Sequence, residues 1–140
     1  MRRSAMFLVG ALLILTGALQ GCSGKSRQVA EAATQEFRER YSRSEFDQIY
    51  ADTAPELRTQ STHDDFVKLM QGVTRKLGGY RSATVTGWRF FAGTNGTVVT
   101  LGYRTIFEKA AADEEFTWRV ESHAAKLAGY HINSNAFLAE

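Results

Sequence analysis

The spacing of apolar residues along this 140-residue chain changes twice, and each change marks a different kind of element. An apolar, uncharged stretch from Ala5 to Leu19 comes first. From Arg27 to Tyr41, Val29, Ala30, Ala33, Phe37 and Tyr41 recur at three- and four-residue steps. Glu31, Glu36, Arg38, Glu39 and Arg40 lie mostly between them, which predicts a helix with one buried face. Ser44 with Asp47 makes a variant of the Ser/Thr-x-x-acid start signal, followed by Phe46, Ile49 and Tyr50. This predicts a short second helix that stops before Pro55, the single proline. Thr62 with Asp65 repeats the cap, and Phe66, Leu69, Met70, Val73 and Leu77 trace an apolar stripe ending at Gly78-Gly79. Such a stripe between a cap and a glycine stop predicts a third helix with those five residues buried.

Beyond Gly79 the period falls to two and β-branched and aromatic residues become frequent, predicting four strands. The first covers about Arg81 to Ala92, and its alternation slips beside Gly87, the mark of a bulge. Gly93-Thr94-Asn95-Gly96 makes the turn into a second strand, Thr97 to Glu108, with Val99, Leu101, Tyr103 and Phe107 on one face and Thr100, Arg104 and Glu108 on the other. After a loop at Ala110-Ala111-Ala112-Asp113, Phe116, Trp118 and Val120 alternate with polar residues. A turn near Ser122-His123 leads to a fourth strand, about Ala125 to Asn133, whose parity changes beside Gly129. Short connections favour an antiparallel meander. Three helices followed by four such strands predict an α+β fold, with the helices on one face of a bent sheet.

The N-terminal stretch has the order of an export signal: Arg2 and Arg3, the apolar run, then the small-residue end Gly21-Cys22. Fifteen helical residues span roughly 22 Å, against the roughly 30 Å that an uncleaved transmembrane anchor, the alternative, would have to cross. Leu19-Gln20-Gly21-Cys22 resembles the lipobox of bacterial lipoproteins, although Gln20 stands where a small or apolar residue is usual. The resemblance implies thioether lipidation of Cys22, cleavage ahead of it, and attachment to a membrane through acyl chains. Each buried methylene contributes about 0.8 kcal/mol, so three chains would hold the protein essentially permanently. Cys22 is the sole cysteine, which leaves no internal disulfide for it to serve. Ser23, where Asp commonly retains lipoproteins in the inner membrane, implies the outer membrane facing the periplasm in a host with two membranes. The expected organisation is a signal peptide at 1–21, the lipidated Cys and a short tether at 22–26, and one domain at 27–138.

Removing the leader takes two of the 17 Lys and Arg residues and none of the 15 acids, so the mature chain carries 15 of each. A formally neutral domain lacks the cationic excess that nucleic acid requires, which excludes that partner. The 119 residues from Cys22 onward suffice for one core.

The helix and strand order also resembles the cystatin-like and nuclear-transport-factor-2-like superfamily, whose members fold as a helix-filled cone. The likeness rests on the three-helix start, the run Arg75-Lys76-Leu77-Gly78-Gly79 and the ending Lys126-Leu127-Ala128-Gly129-Tyr130-His131-Ile132-Asn133. It is similar in kind to small secreted or lipid-anchored bacterial proteins. Enzymes of that superfamily place an Asp/His or Asp/Tyr pair in the cone, which here would be Asp47 with His131.

The residues themselves show little chemistry. His63, His123 and His131 stand far apart, with no His-x-x-x-His or Cys-x-x-Cys spacing for a metal and no glycine-rich loop for a nucleotide or other cofactor. His63-Asp64-Asp65 fits a helix start, where acids complement the dipole. Trp88, Tyr103, Trp118, Tyr130 and His131 all fall on strands; packing explains them best, but Trp88, Tyr103, Tyr130 and His131 could instead line a small-ligand pocket. Two functions therefore fit: a lipid-anchored module that binds another envelope protein, or a small-molecule pocket with or without catalysis. The first is expected to show an apolar patch on the outer face of the sheet, and the second an open cavity.

Overall fold

The structure, a computed structural model, describes residues 20–139. The expected signal peptide therefore lies almost wholly outside the described residues. Helix α1 spans Gln20–Ser42 and buries Ala30, Thr34, Phe37, Arg38 and Tyr41. It begins earlier than the pattern predicts, so residues 22–26 are the first turns of a helix where a tether was expected.

Ser44 does not cap the second helix. It sits in the left-handed region with φ 56°, closing the turn that ends α1, where its N–H bonds the Tyr41 carbonyl at 3.0 Å. Helix α2, Phe46–Ala51, is instead preceded by Glu45, which makes no side-chain cap. Pro55 starts an element rather than only stopping one. It occupies the first turn of α3, Pro55–Gln60, where a missing N–H costs nothing, and this helix raises the expected three to four among the described residues. Helix α4, His63–Leu77, has the predicted start: Thr62 Oγ1 accepts from the Asp65 N–H and donates to its carboxylate. Its stop is Gly78, at φ 80°. The buried stripe is Phe66, Met70, Val73 and Leu77, while Leu69 is 44% exposed, a correction to the expected core.

Strands β1 (Tyr80–Gly93), β2 (Gly96–Phe107), β3 (Ala111–Glu121) and β4 (Ala124–Asn133) form one antiparallel sheet in the order β1-β2-β3-β4. The expected loop at 110–113 is shorter: Glu108–Ala110 make the connection, and Ala112 is fully buried in β3. Both parity slips are irregularities of register. One falls between Val85 and Gly87, and the other lies opposite Thr117/Trp118, where Gly129 and Leu127 are the partners. Such bulges bend a strand and raise its twist.

Helix α1 contacts all four strands, α3 contacts β4, and α2 lies against α1 and α4. Val99, Leu101, Tyr103, Phe107, Phe116, Trp118, Val120 and Leu127 meet the apolar sides of α1, α2 and α4 in one core. The other face of the sheet is polar, with Arg89 bonded to Glu115, Arg104 to Asp113 at 3.0 Å, and Thr100 to Thr117. The apolar patch expected on this outer face is absent among the described residues; Phe91 and Ile106 are its isolated exposed apolar side chains. Exposed apolar residues otherwise lie on β1 (Val85, Trp88), on α4 (Leu69) and at Leu138.

Candidate functional site

The most unusual grouping is a buried charge pair between α1 and β3. Arg38 follows Ala30 and Thr34 at four-residue steps on the inner face of α1, and Glu114 shares the inward parity of Ala112, Phe116 and Trp118. Each is 4% exposed. Arg38 Nη1 donates to Glu114 Oε2 at 2.9 Å, the Thr105 hydroxyl donates to the same oxygen, and the Tyr130 hydroxyl donates to Oε1 at 2.7 Å. The guanidinium lies over Tyr80, Tyr103 and Phe116, 4.5, 5.0 and 5.4 Å from their ring centroids. Three donors satisfy the carboxylate and three rings surround the cation, so the desolvation cost of the pair is largely offset.

This network absorbs two of the residues that sequence marks as pocket-lining. Burial and the neighbouring Glu114 carboxylate push the Tyr130 hydroxyl well above the usual tyrosine range, so it stays a protonated donor. Tyr103 is buried against Phe116, and burial raises its hydroxyl as well. Trp118 stacks on Phe116 and donates from Nε1 to the Thr34 hydroxyl at 2.9 Å. Trp88, opposite Leu101 at the sheet's edge, is 41% exposed and lies under Arg27. His131 stands on the other face, opposite Glu115, and is exposed. Trp88, Tyr103, Tyr130 and His131 do not converge on one cavity.

Nor do Asp47 and His131 pair. Asp47 Oδ1 lies 2.7 Å from His63 Nε2 and Asp64 Oδ1 lies 3.2 Å from its Nδ1, joining α2 to the start of α4. These bonds, with Asp64 the larger influence, raise the pKa of the half-exposed imidazole. Cys22 is exposed in the first turn of α1.

Three surface clefts stand out among the described residues, and each avoids Trp88, Tyr103, Tyr130 and His131. One of about 170 Å³ lies between α1, α2 and β4, floored by Phe37, Ile49, Trp118 and Leu127. A second, about 620 Å³, lies between the start of α1 and the β3–β4 turn, with Lys25, Gln28, Ser122 and His123 on its walls. The third, about 420 Å³, follows α4, where Leu69, Val73, Ile132 and Phe137 are bordered by Lys68, Arg75 and Lys76. No protein-family model matches this chain, and no curated protein matches it. Among the described residues, no three His, Cys, Asp or Glu side chains group as metal ligands would, and no helix is long and apolar enough to cross a membrane.

Arg38, Glu114, Thr105 and Thr34 are the residues that sequence reasoning missed. The signal for Glu114 and Thr105 was their parity, since both fall on the inward positions of strands whose neighbours were assigned to the core.

Proposed function

We propose that this chain is an envelope lipoprotein, held through Cys22 in the outer membrane of a two-membrane host, whose domain binds another envelope protein. The helix-covered bent sheet is compatible with a cone of the cystatin-like or nuclear-transport-factor-2-like type. The observation that carries the binding role is the α4 cleft. Leu69 is a large apolar side chain half in solvent, beside Val73, Ile132 and Phe137, and the rim is cationic. An apolar centre within a charged border is the anatomy of a compact protein interface. Its chemistry suits a partner segment that offers an apolar anchor flanked by Asp or Glu.

The interior supports the same choice, because the aromatic hydroxyls that a ligand would have met are already bonded or packed. A small-molecule site has one observation in its favour, the apolar floor and charged Arg40 and Asp52 of the cleft between α1, α2 and β4. Neither this cleft nor the two larger ones gather Trp88, Tyr103, Tyr130 and His131, so this function stands second.

Photo-crosslinking in cells tests the binding role. A photoreactive residue at Leu69 of the full chain should give a discrete protein adduct that Arg75→Glu with Lys76→Glu abolishes. An adduct pattern no different from that of the same group at Thr84, exposed on β1, would contradict it.

A further inference from the structure

We propose that the end of the domain bearing Cys22 rests on the bilayer itself, with Trp88 and Phe91 entering the headgroup layer; this rests on the lipidation of Cys22 proposed above. Helix α1 is continuous from Gln20, so Cys22 begins a rigid rod. Arg27 fixes that rod to β1, its guanidinium 5.1 Å from the centroid of the Trp88 ring. Cys22 lies five residues earlier, about 7.5 Å of helical rise away. Acyl chains on Cys22 would therefore emerge close to Trp88, with no slack to hold the domain off the surface.

The register places the rest of this end. Gly93 pairs with Gly96, Thr97 with Val120 and Glu121 with Ala124, so the β1–β2 and β3–β4 turns share one end of the sheet. The start of α1 reaches the same end, since Lys25 and Gln28 share a cleft with Ser122 and His123. Phe91 is 68% exposed here, and its ring lies over the Gly93 backbone, where an added Cβ would come within 2.8 Å of it. Phe91 and Trp88 are three strand residues apart, about 10 Å, and project from opposite faces of the edge strand β1.

Exposed Trp and Phe beside Lys and Arg are the side chains that the water–lipid boundary favours. Arg27 is already bonded to Glu31 at 2.7 Å and Arg89 to Glu115, so the attraction is chiefly apolar and needs no anionic lipid. The bilayer is the occupant that the attachment point dictates, because a protein partner at this end would have to fit between the acyl chains and the aromatics they adjoin.

The full lipidated chain in phosphatidylcholine vesicles tests this, with bromine on the acyl chains as quencher. Wild type should lose up to about half of its emission, the share of one of its two tryptophans, while Trp88→Phe, which retains the buried Trp118, should lose little. Phe91→Asp should reduce the wild-type loss. Equal quenching of wild type and Trp88→Phe, with Trp88 open to acrylamide on the same vesicles, would overturn the inference. A Trp88 shielded from both quenchers would overturn it too and place a protein there. The intact mass tells these results apart from failure of the anchor, since a Cys22 without lipid sinks the anchoring proposal itself.

Discussion

Arg38 and Glu114 are the two charges that this core cannot easily lose one at a time. Removing the cation leaves a carboxylate 4% exposed with only hydroxyl donors, and a buried charge left unpaired costs about 3–5 kcal/mol. Arg38→Met should therefore lower stability by about that amount in urea denaturation. Adding Glu114→Gln, which removes the charge, keeps an acceptor for the Tyr130 hydroxyl and offers an amide N–H to the Thr105 hydroxyl oxygen, should recover most of it. A double variant no more stable than Arg38→Met would show that the charge pairing is not what matters here. The pair was partly legible in the sequence. Glu114 lies on the inward parity of β3, but a charged residue there reads as a strand end until a partner is known. That partner is 76 residues away on a helix face whose pattern looked polar.

On α4 the cap, the stop and four of the five stripe residues were legible, because Thr62, Gly78 and the three- and four-residue steps are local signals. The exposure of Leu69 was not. Leu69 and Met70 are neighbours in a stripe wider than the face that joins the core, and tertiary packing alone decides that Met70 is fully buried and Leu69 is 44% exposed. Met70→Ala should cost about 2–5 kcal/mol by cavity formation. Leu69→Ala should cost about 1 kcal/mol or less, since much of its surface never leaves water. Thermal melts of the two variants measure the contrast, and equal losses would contradict this orientation of α4. The missed helix α3 and the displaced cap at Ser44 have a common cause. Between Ser42 and His63 the chain reverses twice in short steps, and a proline or serine there can serve either side of a turn.

At the scale of the whole molecule, the two proposed contacts lie at opposite ends. The α4 cleft adjoins the Glu108–Ala110 connection, where Lys109 Nζ donates to the Arg75 carbonyl and the Lys109 N–H to that of Leu77. The lipid end holds the other two turns, a β2 length of about 40 Å away. A domain seated on the bilayer by Trp88 and Phe91 would thus present Leu69 and its cationic rim away from the membrane. The meander and the α+β class followed from periodicity, but this polarity did not, because it depends on the direction in which α1 crosses the sheet. Membrane attachment, and with it the seating of the domain, depends on Cys22. The full chain, expressed in a host that processes lipoproteins and labelled with radioactive palmitate, should take up label and fractionate with membranes, whereas Cys22→Ser should take up none and be left unprocessed or soluble. Palmitate entering the Cys22→Ser protein as strongly as wild type would contradict the account.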